Sequence, residues 1–383
     1  MFDEANFSPS PFTEEEEMYR QSVRAFLDRE LEPNVDKFEG NFDFERAFFR
    51  KAGEAGILGA MVPEEYGGPG AGQLCGVVLM QELGRSIGGA TIGSSISNDI
   101  STHILLKGAS EELKRRWLPG IMRGEIPQCM PMTEPGAGSD VGALRTTALR
   151  DGDHYVLNGT KCFISNGNKA DLMYVVAKTD PSLGSKGLSV LLVEAATPGV
   201  SRARMKPMGF PAYDLAEIHF DNVRVPVGNL FLGEGRAMEI LLPTFPLDHL
   251  ELCARALGEA ELAFNLAKEY VKQRKVFGQA VFDFQNTQFK LAEMKTDIEV
   301  GRSFLHDGVR KHRAGNYGIP DGAMIKLWIP EMSARVIDNA LQMFGGSGYM
   351  DEMTISKIYR ANRVYRIYAG TSEIQKSVIA RRL

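Results

Sequence analysis

The spacing of apolar residues predicts helices in the first third of the chain. Up to about residue 125, apolar residues recur every three or four positions, as in segments 20–27 and 44–50. This period is typical of an amphipathic helix with one buried face. The Pro- and Gly-rich segment 63–70 indicates a loop between such helices.

The period changes to two between about 126 and 234, which predicts β-strands. Segments 154–157 and 160–164 flank Asn158-Gly159, a dipeptide typical of two-residue turns, and together they predict a β-hairpin. Segments 173–176, 188–193 and 217–220 continue the strand pattern. The turn residues between them indicate a compact antiparallel sandwich or barrel.

Helical spacing returns after about residue 236, in longer segments at 248–275, 283–313 and 321–344. Long helices with short connections indicate a helical bundle. We therefore predict an α+β multidomain chain with three parts: an N-terminal helical domain (1–125), a middle antiparallel β-barrel (126–235) and a C-terminal helical bundle (236–383). Because strands and helices do not alternate, a doubly wound nucleotide fold is not expected.

Composition and charge narrow the class of protein. The 383 residues are 44% hydrophobic and 24% charged, as in ordinary globular proteins. Lys and Arg number 44 against 49 Asp and Glu, and a net charge of -5 argues against nucleic-acid binding. No apolar run is long enough to span a membrane, and the acidic start does not resemble a targeting peptide. A cytoplasmic location is expected.

The cysteines and most histidines predict no metal site or disulfide framework. The four cysteines contain no CxxC pair and are expected to be buried reduced thiols. Five histidines show no spacing typical of metal ligands, and we interpret them as structural. They are His103, His154, His219, His306 and His312.

Glycine is the conspicuous residue, with 40 copies, many of them in short polar motifs. Neither a Walker sequence nor a G-x-G-x-x-G between a strand and a helix occurs, so the common nucleotide fingerprints are excluded. The segment TEPGAGSD (133–140) combines hydroxyls with glycines that permit close backbone approach. In FISNG (163–167), Phe163 and Ser165 are two residues apart and so face the same side of a strand.

Taken with KQRKVFG (272–278), QMFGGSGY (342–349) and YAGTSEIQ (368–375), these motifs resemble the acyl-CoA dehydrogenase family of flavoproteins. The resemblance covers essentially the whole chain. It implies a helical, β-barrel and helical-bundle domain order, FAD as the cofactor, an acyl-CoA substrate and an electron-transfer flavoprotein as the electron acceptor. It also implies a homotetramer or homodimer.

The resemblance also implies a role for each motif residue. Phe163 would lie beside the flavin ring, where many relatives have Trp, and Gly138 and Ser139 would approach the cofactor phosphates and the pantetheine arm. The other implied FAD contacts are Met132, Thr133, Ser165, Arg274, Phe277, Gln285, Gln342, Gly346, Thr371 and Gln375, some of them from a neighbouring subunit. The implied substrate contacts are Ser139, His249, Tyr368 and Gly370.

The catalytic base is not at its usual position. Most relatives have Glu before the Gly-Thr of the YEGT motif, where this chain has Ala369, which offers only its backbone N–H. A minority pattern, that of the isovaleryl-CoA and long-chain dehydrogenases, carries the glutamate on the first long C-terminal helix. That position, 26 residues before Arg274, is Asp248. Asp248 is therefore the expected base, with Glu251 as the alternative one turn later.

Two features of this position qualify the base prediction. Because Pro243 and Pro246 are typical of a first helical turn, Asp248 is expected near a helix start, where an acidic residue also simply favours the helix dipole. Aspartate is shorter than the family's glutamate, and the usual neighbouring Arg is replaced by His249. For His249, a solvent-facing position is favoured over a proton relay or acyl selection.

The predicted function is dehydrogenation of an acyl-CoA between its α and β carbons. One alternative is a same-fold flavoenzyme that acts on a carrier-protein thioester or runs the flavin chemistry for reduction, desulfination or oxygenation. A second is a base-deficient subunit that pairs with an active homologue, for which Ala369 would be the sign. A third is a flavin-binding scaffold without enzymatic activity.

Overall fold

The computed structural model describes residues 9–38, 41–93, 96 and 99–383. Its N-terminal part is helical, as predicted. The α-helices are α1 (Glu14–Phe26), α2 (Phe42–Glu54), α3 (Leu74–Arg85), α4 (Gly89–Ile92), α5 (Asp99–Gly108) and α6 (Glu111–Met122). Thr13 and Glu16 form a capping box that starts α1. Helix α3 is buried along almost its whole length and packs against α1, α2 and α4.

The middle part is a curled sheet of seven strands. These are β1 (Gln128–Cys129), β2 (Thr147–Asp151), β3 (His154–Ser165), β4 (Leu172–Lys178), β5 (Leu188–Glu194), β6 (Val200–Met205) and β7 (Leu215–Pro226). The strand order is β1-β4-β2-β3-β7-β6, and β5 pairs with β4. The sheet confirms the predicted β domain and is mostly antiparallel, with short parallel pairings of β4 with β1 and β2.

The predicted hairpin at Asn158-Gly159 is wrong, because both residues lie inside the continuous strand β3. Gly159 is required there by close packing: a Cβ at this position would lie 2.4 Å from the Thr146 hydroxyl. The strand pairing with β7 shifts register at this point, so the dipeptide forms a β-bulge and not a turn. The hairpin turn lies instead at Gly152, between β2 and β3, where φ is 63°.

The C-terminal part is a helical bundle, as predicted. Its helices are α7 (Ala237–Gln273), α8 (Gln285–Arg313), α9 (Ile319–Met343), α10 (Thr354–Asn362) and α11 (Ser372–Ala380). The short strands β8 (Lys275–Val276) and β9 (Gln279–Ala280) form a hairpin after α7. Helices α7, α8 and α9 pack together around one apolar core.

Helix α7 begins 11 residues earlier than the sequence predicts, at Ala237 instead of 248. Pro243 and Pro246 lie inside it, although each lacks the N–H that an interior helical residue donates. The segment stays helical because its apolar side chains, such as Ile240 and Leu241, are buried against the N-terminal helices and the sheet. Burial of that face outweighs the lost backbone hydrogen bonds.

Helices α3 and α7 approach each other closely enough to join the two helical parts. A Cβ on Gly84 would lie 2.2 Å from the Arg255 carbonyl oxygen, and one on Gly258 would lie 2.5 Å from that of Gln81. Only glycine permits this backbone contact. The middle of α7 is thereby held against α3.

Candidate active site

A buried ion pair fixes the TEPGAGSD loop against strand β3. Glu134 accepts hydrogen bonds from the backbone N–H groups of Arg145 (2.7 Å) and Thr146 (2.9 Å) and from Lys161 Nζ (2.9 Å). Lys161 also donates to the Met132 carbonyl oxygen at 2.9 Å. The first residues of the loop are therefore held in a fixed position relative to the strand.

Burial and pairing set the charges of these two side chains. Burial lowers the pKa of Lys161 to about 8, although the hydrogen bond and charge of Glu134 act in the opposite direction. Burial alone would raise the pKa of Glu134, but hydrogen bonds from Lys161 and Thr146 bring it below its usual range. Glu134 is thus ionised at neutral pH and Lys161 is mostly protonated.

The anchored loop lies beside an exposed aromatic ring. The Cys162 N–H donates to the Thr133 carbonyl oxygen at 2.9 Å, which brings the loop next to Phe163. Phe163 has a φ of 58° at a register shift of β3, and its side chain is 60% exposed. Phe163 and Ser165 are both exposed and flank the buried Ile164, so the bulge presents their side chains together.

The glycines of the loop leave open backbone beside this ring. A Cβ on Gly136 would meet nothing within 4 Å, and one on Gly138 would meet only the Thr133 side chain at 3.9 Å. Ser139 is exposed at the end of the loop. The edge of a flat ring stacked on Phe163 could reach Thr133 and Ser165. Phosphates carried by the same ligand could approach the open glycine backbone. These residues fit a flavin dinucleotide.

Around residue 369, three side chains hold the loop of the YAGTSEIQ motif. His249 Nε2 donates to the Ala369 carbonyl oxygen at 3.0 Å, and Gln375 Nε2 donates to the same oxygen at 3.2 Å. The Gly370 carbonyl oxygen accepts from Gln375 at 3.2 Å and from Lys326 Nζ at 3.3 Å. Ala369 adopts a left-handed φ of 49°, which this set of contacts maintains.

The Ala369 backbone N–H forms no hydrogen bond with the residues that the structure describes. Its carbonyl oxygen is fixed by two donors, so the orientation of the peptide is constrained. Thr371 caps α11 by accepting from the Ile374 N–H at 3.3 Å. The loop therefore enters α11 in a defined geometry.

His249 is buried, and the expectation that it faces solvent is wrong. The position is buried because α7 extends through it and is covered by α9 and the 369 loop. Burial and the nearby positive charge of Lys326 lower the pKa of His249 to about 4. The ring is neutral at pH 7, and its bond to a carbonyl oxygen requires that Nε2 carries the proton.

Asp248 lies in the interior of α7 and not at its start, because the helix begins at Ala237. The interpretation of Asp248 as an acid that favours a helix N-terminus therefore fails. The Asp248 carboxylate is close enough to act on the pKa of Lys326, Cys253 and Tyr368. Tyr368 and Lys326 belong to the group of residues at the 369 loop, so both positions that relatives use for a base lie in one region.

A small cavity joins Asp248 to the N-terminal helices. Its volume is about 10 Å³, and both Asp248 and Glu251 line it. The apolar side chains of the lining are Met61, Ile100 and Leu247, and the polar ones, besides the two carboxylates, are His103 and Thr244. The two candidate bases thus line one small, partly open space formed between α5 and α7.

The remaining predicted FAD contacts are exposed. Arg274, Phe277, Gln285, Gln342 and Gly346 all lie on the surface of the chain, and the Phe277 side chain is 97% exposed. The two motifs that carry most of them are neighbours, because the Tyr270 and Phe344 rings stack with centroids 4.3 Å apart.

The sequence interpretation missed three residues that organise this region. Lys161 and Lys326 are buried cations whose hydrogen bonds hold the 133 loop and the 369 loop. Each interrupts an otherwise apolar buried face, and that interruption was the available signal. His103 was interpreted as structural, and its place in the cavity depends on a contact between α5 and α7 that periodicity does not reveal.

Among the described residues, no group of three or more His, Cys, Asp or Glu side chains is arranged to hold a metal ion. All four cysteines are free thiols and buried, as expected. No helix in the described ranges has the length and apolar character needed to cross a membrane.

Three family models match the chain in consecutive order. They are described as acyl-CoA dehydrogenase N-terminal domain (residues 13–125), middle domain (129–223) and C-terminal domain (238–383). Among curated proteins, the chain is 36% identical to a 3-(aryl)acrylate reductase of Clostridium sporogenes, covering 97% of this chain and 99% of that protein. It is also 36% identical to the mitochondrial long-chain specific acyl-CoA dehydrogenase of Mus musculus, covering 97% and 87%.

Solved structures show the same fold. An acyl-CoA dehydrogenase from Geobacillus kaustophilus superposes with a TM-score of 0.93 at 41% identity, covering 97% of this chain and 98% of that chain. A glutaryl-CoA dehydrogenase from Mycobacterium smegmatis, solved in complex with FADH2, superposes with a TM-score of 0.88 at 28% identity, covering 97% and 95%.

Proposed function

The chain belongs to the acyl-CoA dehydrogenase family of oxidoreductases, and we propose that it uses FAD to introduce a double bond between the α and β carbons of an acyl-CoA thioester. The observation that carries this proposal is the position of Asp248. Its carboxylate lines a small, mostly apolar cavity, and the next residue, His249, is bonded to the loop of Ala369.

The family is FAD-dependent, and the residues beside Phe163 suit this cofactor. Phe163 would stack on the ring, and Met132, Thr133 and Ser165 would line its edge. Gly138 and Ser139 would approach the phosphates, because the backbone there is open. When bound, FAD would accept the hydride that leaves the β carbon of the acyl group.

The flavin ring would stack on Phe163, whereas the exposed C-terminal motifs would contact the other end of the cofactor. We expect one cofactor to contact both sets of residues only in an oligomer. Arg274, Phe277, Gln285, Gln342 and Gly346 would bind the pyrophosphate and adenosine, some of them from a second copy of the chain. A side chain as exposed as Phe277 is consistent with burial against a partner. We therefore propose a homotetramer or homodimer. Separately, we propose that the domain boundaries lie near residues 126 and 236.

The 369 loop would bind the thioester carbonyl. The Ala369 N–H donates to no described residue, and its peptide is fixed by His249 and Gln375. A preorganised N–H of this kind stabilises the negative charge that develops on the carbonyl oxygen when the α-proton leaves. Tyr368 and Gly370 flank it, and Ser139 would contact the pantetheine arm.

Asp248 would remove the α-proton. Its carboxylate is near the 369 loop and lines a small, mostly apolar cavity. A substrate bound there would displace water from the carboxylate, which strengthens the interaction between the base and the carbon acid. Electrons would then pass from the reduced cofactor to an electron-transfer flavoprotein.

One experiment tests the function and the base together. The purified protein is loaded with FAD and mixed anaerobically with a panel of acyl-CoA thioesters, and the loss of flavin absorbance is followed. We expect rapid bleaching by at least one thioester, and a loss of about three orders of magnitude or more in the Asp248→Asn variant, because general-base catalysis is removed. Glu251→Gln is the matched control on the next turn, and a larger loss there would transfer the role to Glu251.

A rescue variant tests the geometry between the two base positions. In the Asp248→Asn background, Ala369→Glu introduces a carboxylate where most relatives carry theirs. If the thioester lies between α7 and the 369 loop, part of the bleaching rate should return. Failure of the rescue in a variant that still binds FAD and product would mean that the two positions do not face the same α carbon.

Reduction is the second candidate function. One relative that shares 36% identity is named a 3-(aryl)acrylate reductase, and the same residues could act on the reverse reaction. In that direction Asp248 would return a proton to the α carbon. The test compares two rates: the oxidation of dithionite-reduced enzyme by an enoyl-CoA, and the reduction of oxidised enzyme by the matching acyl-CoA. A faster oxidation by the enoyl-CoA would favour the reductive direction.

A further inference from the structure

Tyr213 lies just before β7, next to Ser165, which would line the edge of the flavin. At the end of β3, Ser165 pairs with Leu215, and the Asn166 N–H donates to the Asp214 carbonyl oxygen at 2.8 Å. Tyr213 is the next residue beyond this pairing, and its phenol is hydrogen-bonded to the Ser165 hydroxyl. A large aromatic side chain therefore stands directly beside the proposed flavin site.

The ring of Tyr213 is held in place by close packing. A Cβ on Gly93 would lie 2.7 Å from the Cδ2 atom of the ring and 3.0 Å from its Cε2 atom, so the ring packs directly on the Gly93 backbone. A second neighbour is Phe210, whose ring centroid is 5.8 Å from that of Tyr213. The segment is also tied to the N-terminal helices, because the Ala212 N–H donates to the Thr91 carbonyl oxygen at 3.1 Å. We therefore treat the ring as a fixed wall.

Tyr213 also lies close to the loop at which the thioester would bind. Tyr213 and Tyr368 both pack against the apolar core of the helical bundle. Burial raises the pKa of Tyr368, with smaller contributions from the Tyr213 phenol and the Asp248 carboxylate, so both of these groups lie near it. Tyr213 thus lies between Ser165 of the proposed flavin site and Tyr368 of the 369 loop.

The direction of the bound substrate decides which part of it meets this ring. In the proposed function, the reacting carbons lie between the flavin on Phe163 and the base Asp248, and the pantetheine arm leaves past the exposed Ser139. The acyl chain must then continue the other way, into the interior. Tyr213 is on that inner side, since its neighbour Phe210 is buried in the bundle core. A chain that extends beyond the β carbon therefore meets the Tyr213 ring.

We propose that Tyr213 closes the inner end of the acyl site and restricts the enzyme to short-chain acyl-CoA thioesters. This inference rests on the proposed function, because it places the acyl chain between the flavin and α7. A ring packed on backbone excludes the additional methylenes of a longer chain, since a close-packed interior yields only with strain. The cavity beside Asp248, of about 10 Å³, is too small to take those methylenes instead.

The test is a series of thioesters that differ only in chain length. FAD-loaded protein is reduced anaerobically by butyryl-, hexanoyl-, octanoyl- and dodecanoyl-CoA, and the second-order rate constants of flavin reduction are compared. We expect this constant to be about tenfold or more higher for butyryl-CoA than for octanoyl-CoA, because a site without room for further methylenes rejects them at this level. Binding of the enoyl-CoA products, followed by the shift in flavin absorbance, should show the same order without turnover.

Two substitutions separate the ring of Tyr213 from its hydroxyl. Tyr213→Ala removes the wall and should raise the ratio of the octanoyl-CoA to the butyryl-CoA constant by about tenfold or more, because each methylene that becomes buried is worth about fourfold. Tyr213→Phe keeps the ring and should keep this ratio, whatever the loss of the bond to Ser165 does to the absolute rate.

Tyr19→Ala is the matched control for the loss of a tyrosine ring. Tyr19 is also partly buried, but it packs among the N-terminal helices, where its hydroxyl donates to the Ile57 carbonyl oxygen at 2.9 Å. This variant should keep both the rate of flavin reduction and the chain-length ratio of the parent enzyme.

The outcomes separate the inference from the function on which it rests. If no thioester of the series reduces the flavin, the proposed function fails. If the parent enzyme does not prefer butyryl-CoA to octanoyl-CoA, the function stands and the inference is overturned without any variant. A ratio that stays unchanged in folded Tyr213→Ala protein also overturns it. Should Tyr213→Ala fail to fold, Tyr213→Leu shortens the side chain and keeps it apolar; a raised ratio there supports the inference, and an unchanged one contradicts it.

Discussion

At the scale of single residues, the bond from His249 to the Ala369 carbonyl oxygen connects the proposed base to the proposed oxyanion site. Asp248 and His249 are adjacent on α7, so movement of one affects the other. The ring is neutral and buried, and its Nε2–H is directed at the backbone. We interpret His249 as a positioning residue that keeps the 369 peptide facing the substrate.

Replacement of His249 tests this role. His249→Leu should lower kcat by up to about tenfold with a smaller change in KM, because a lost hydrogen bond is worth about 0.5–1.5 kcal/mol and this one acts on carbonyl polarisation in the transition state. Steady-state kinetics and FAD content measure this. His249→Gln can keep a donor near the Nε2 position and should recover part of kcat, whereas equal losses in both variants would indicate a purely steric role.

The residue scale also shows what the sequence can and cannot reveal. The family resemblance, with a count of 26 residues back from Arg274, made Asp248 the candidate base. It did not reveal that His249 is buried, since that depends on the cover that α9 and the 369 loop provide. The roles of both residues remain predictions until the variants are measured.

At the scale of elements, the Glu134–Lys161 pair anchors the TEPGAGSD loop to β3. Both side chains are buried, and Lys161 also bonds to the Met132 carbonyl oxygen. Removal of one partner leaves a buried charge uncompensated. The loop that would contact the flavin is the part of the molecule that then becomes misplaced.

Lys161→Met should therefore lower the free energy of unfolding by about 3–5 kcal/mol, the usual effect of breaking a buried ion pair. Denaturant unfolding measures this, and a weaker Kd for FAD should accompany it. The control is Arg224→Met, which breaks the exposed pair between Arg224 on β7 and Asp151 on β2 and should cost at most about 1 kcal/mol. Similar losses in both variants would contradict the anchoring role.

Periodicity predicted most of the elements but not their boundaries. The strands at 173–176 and 188–193 were predicted as a continuation of the period-two pattern, whereas the structure buries both faces of each strand and extends each by only a few residues. The predicted turn at Asn158-Gly159 was wrong because Gly159 packs closely against Thr146 inside a strand. The predicted start of α7 was wrong because tertiary burial overrides the local preference of proline for the first turn of a helix.

At the scale of the whole molecule, the order of a helical part, a sheet and a second helical part follows from the changes in the spacing of apolar residues along the chain. How the parts meet does not follow from it. The cavity of Asp248 exists because α5 and α7 face each other, and the close contact between Gly84 and α7 holds these helical parts together. No local pattern in either segment specifies that contact.

Burial of several histidines makes the stability of the whole fold sensitive to acid. His103, His249 and His306 each have a pKa lowered to about 4, mainly by burial. In the unfolded chain their pKa returns to about 6.5, so the unfolded state binds more protons between these two values. The free energy of unfolding should therefore fall as the pH decreases from about 6.5 to about 4.

Each of these histidines should contribute up to about 1.4 kcal/mol per pH unit in that window, and the three together about 4 kcal/mol per pH unit. Urea unfolding at several pH values, with protein concentration and flavin content held constant, measures this slope. His306→Leu removes one of the three groups without touching the proposed active site, so it should reduce the slope by up to about 1.4 kcal/mol per pH unit. An unchanged slope would mean that His306 takes up its proton in the folded protein, and that burial does not keep it neutral.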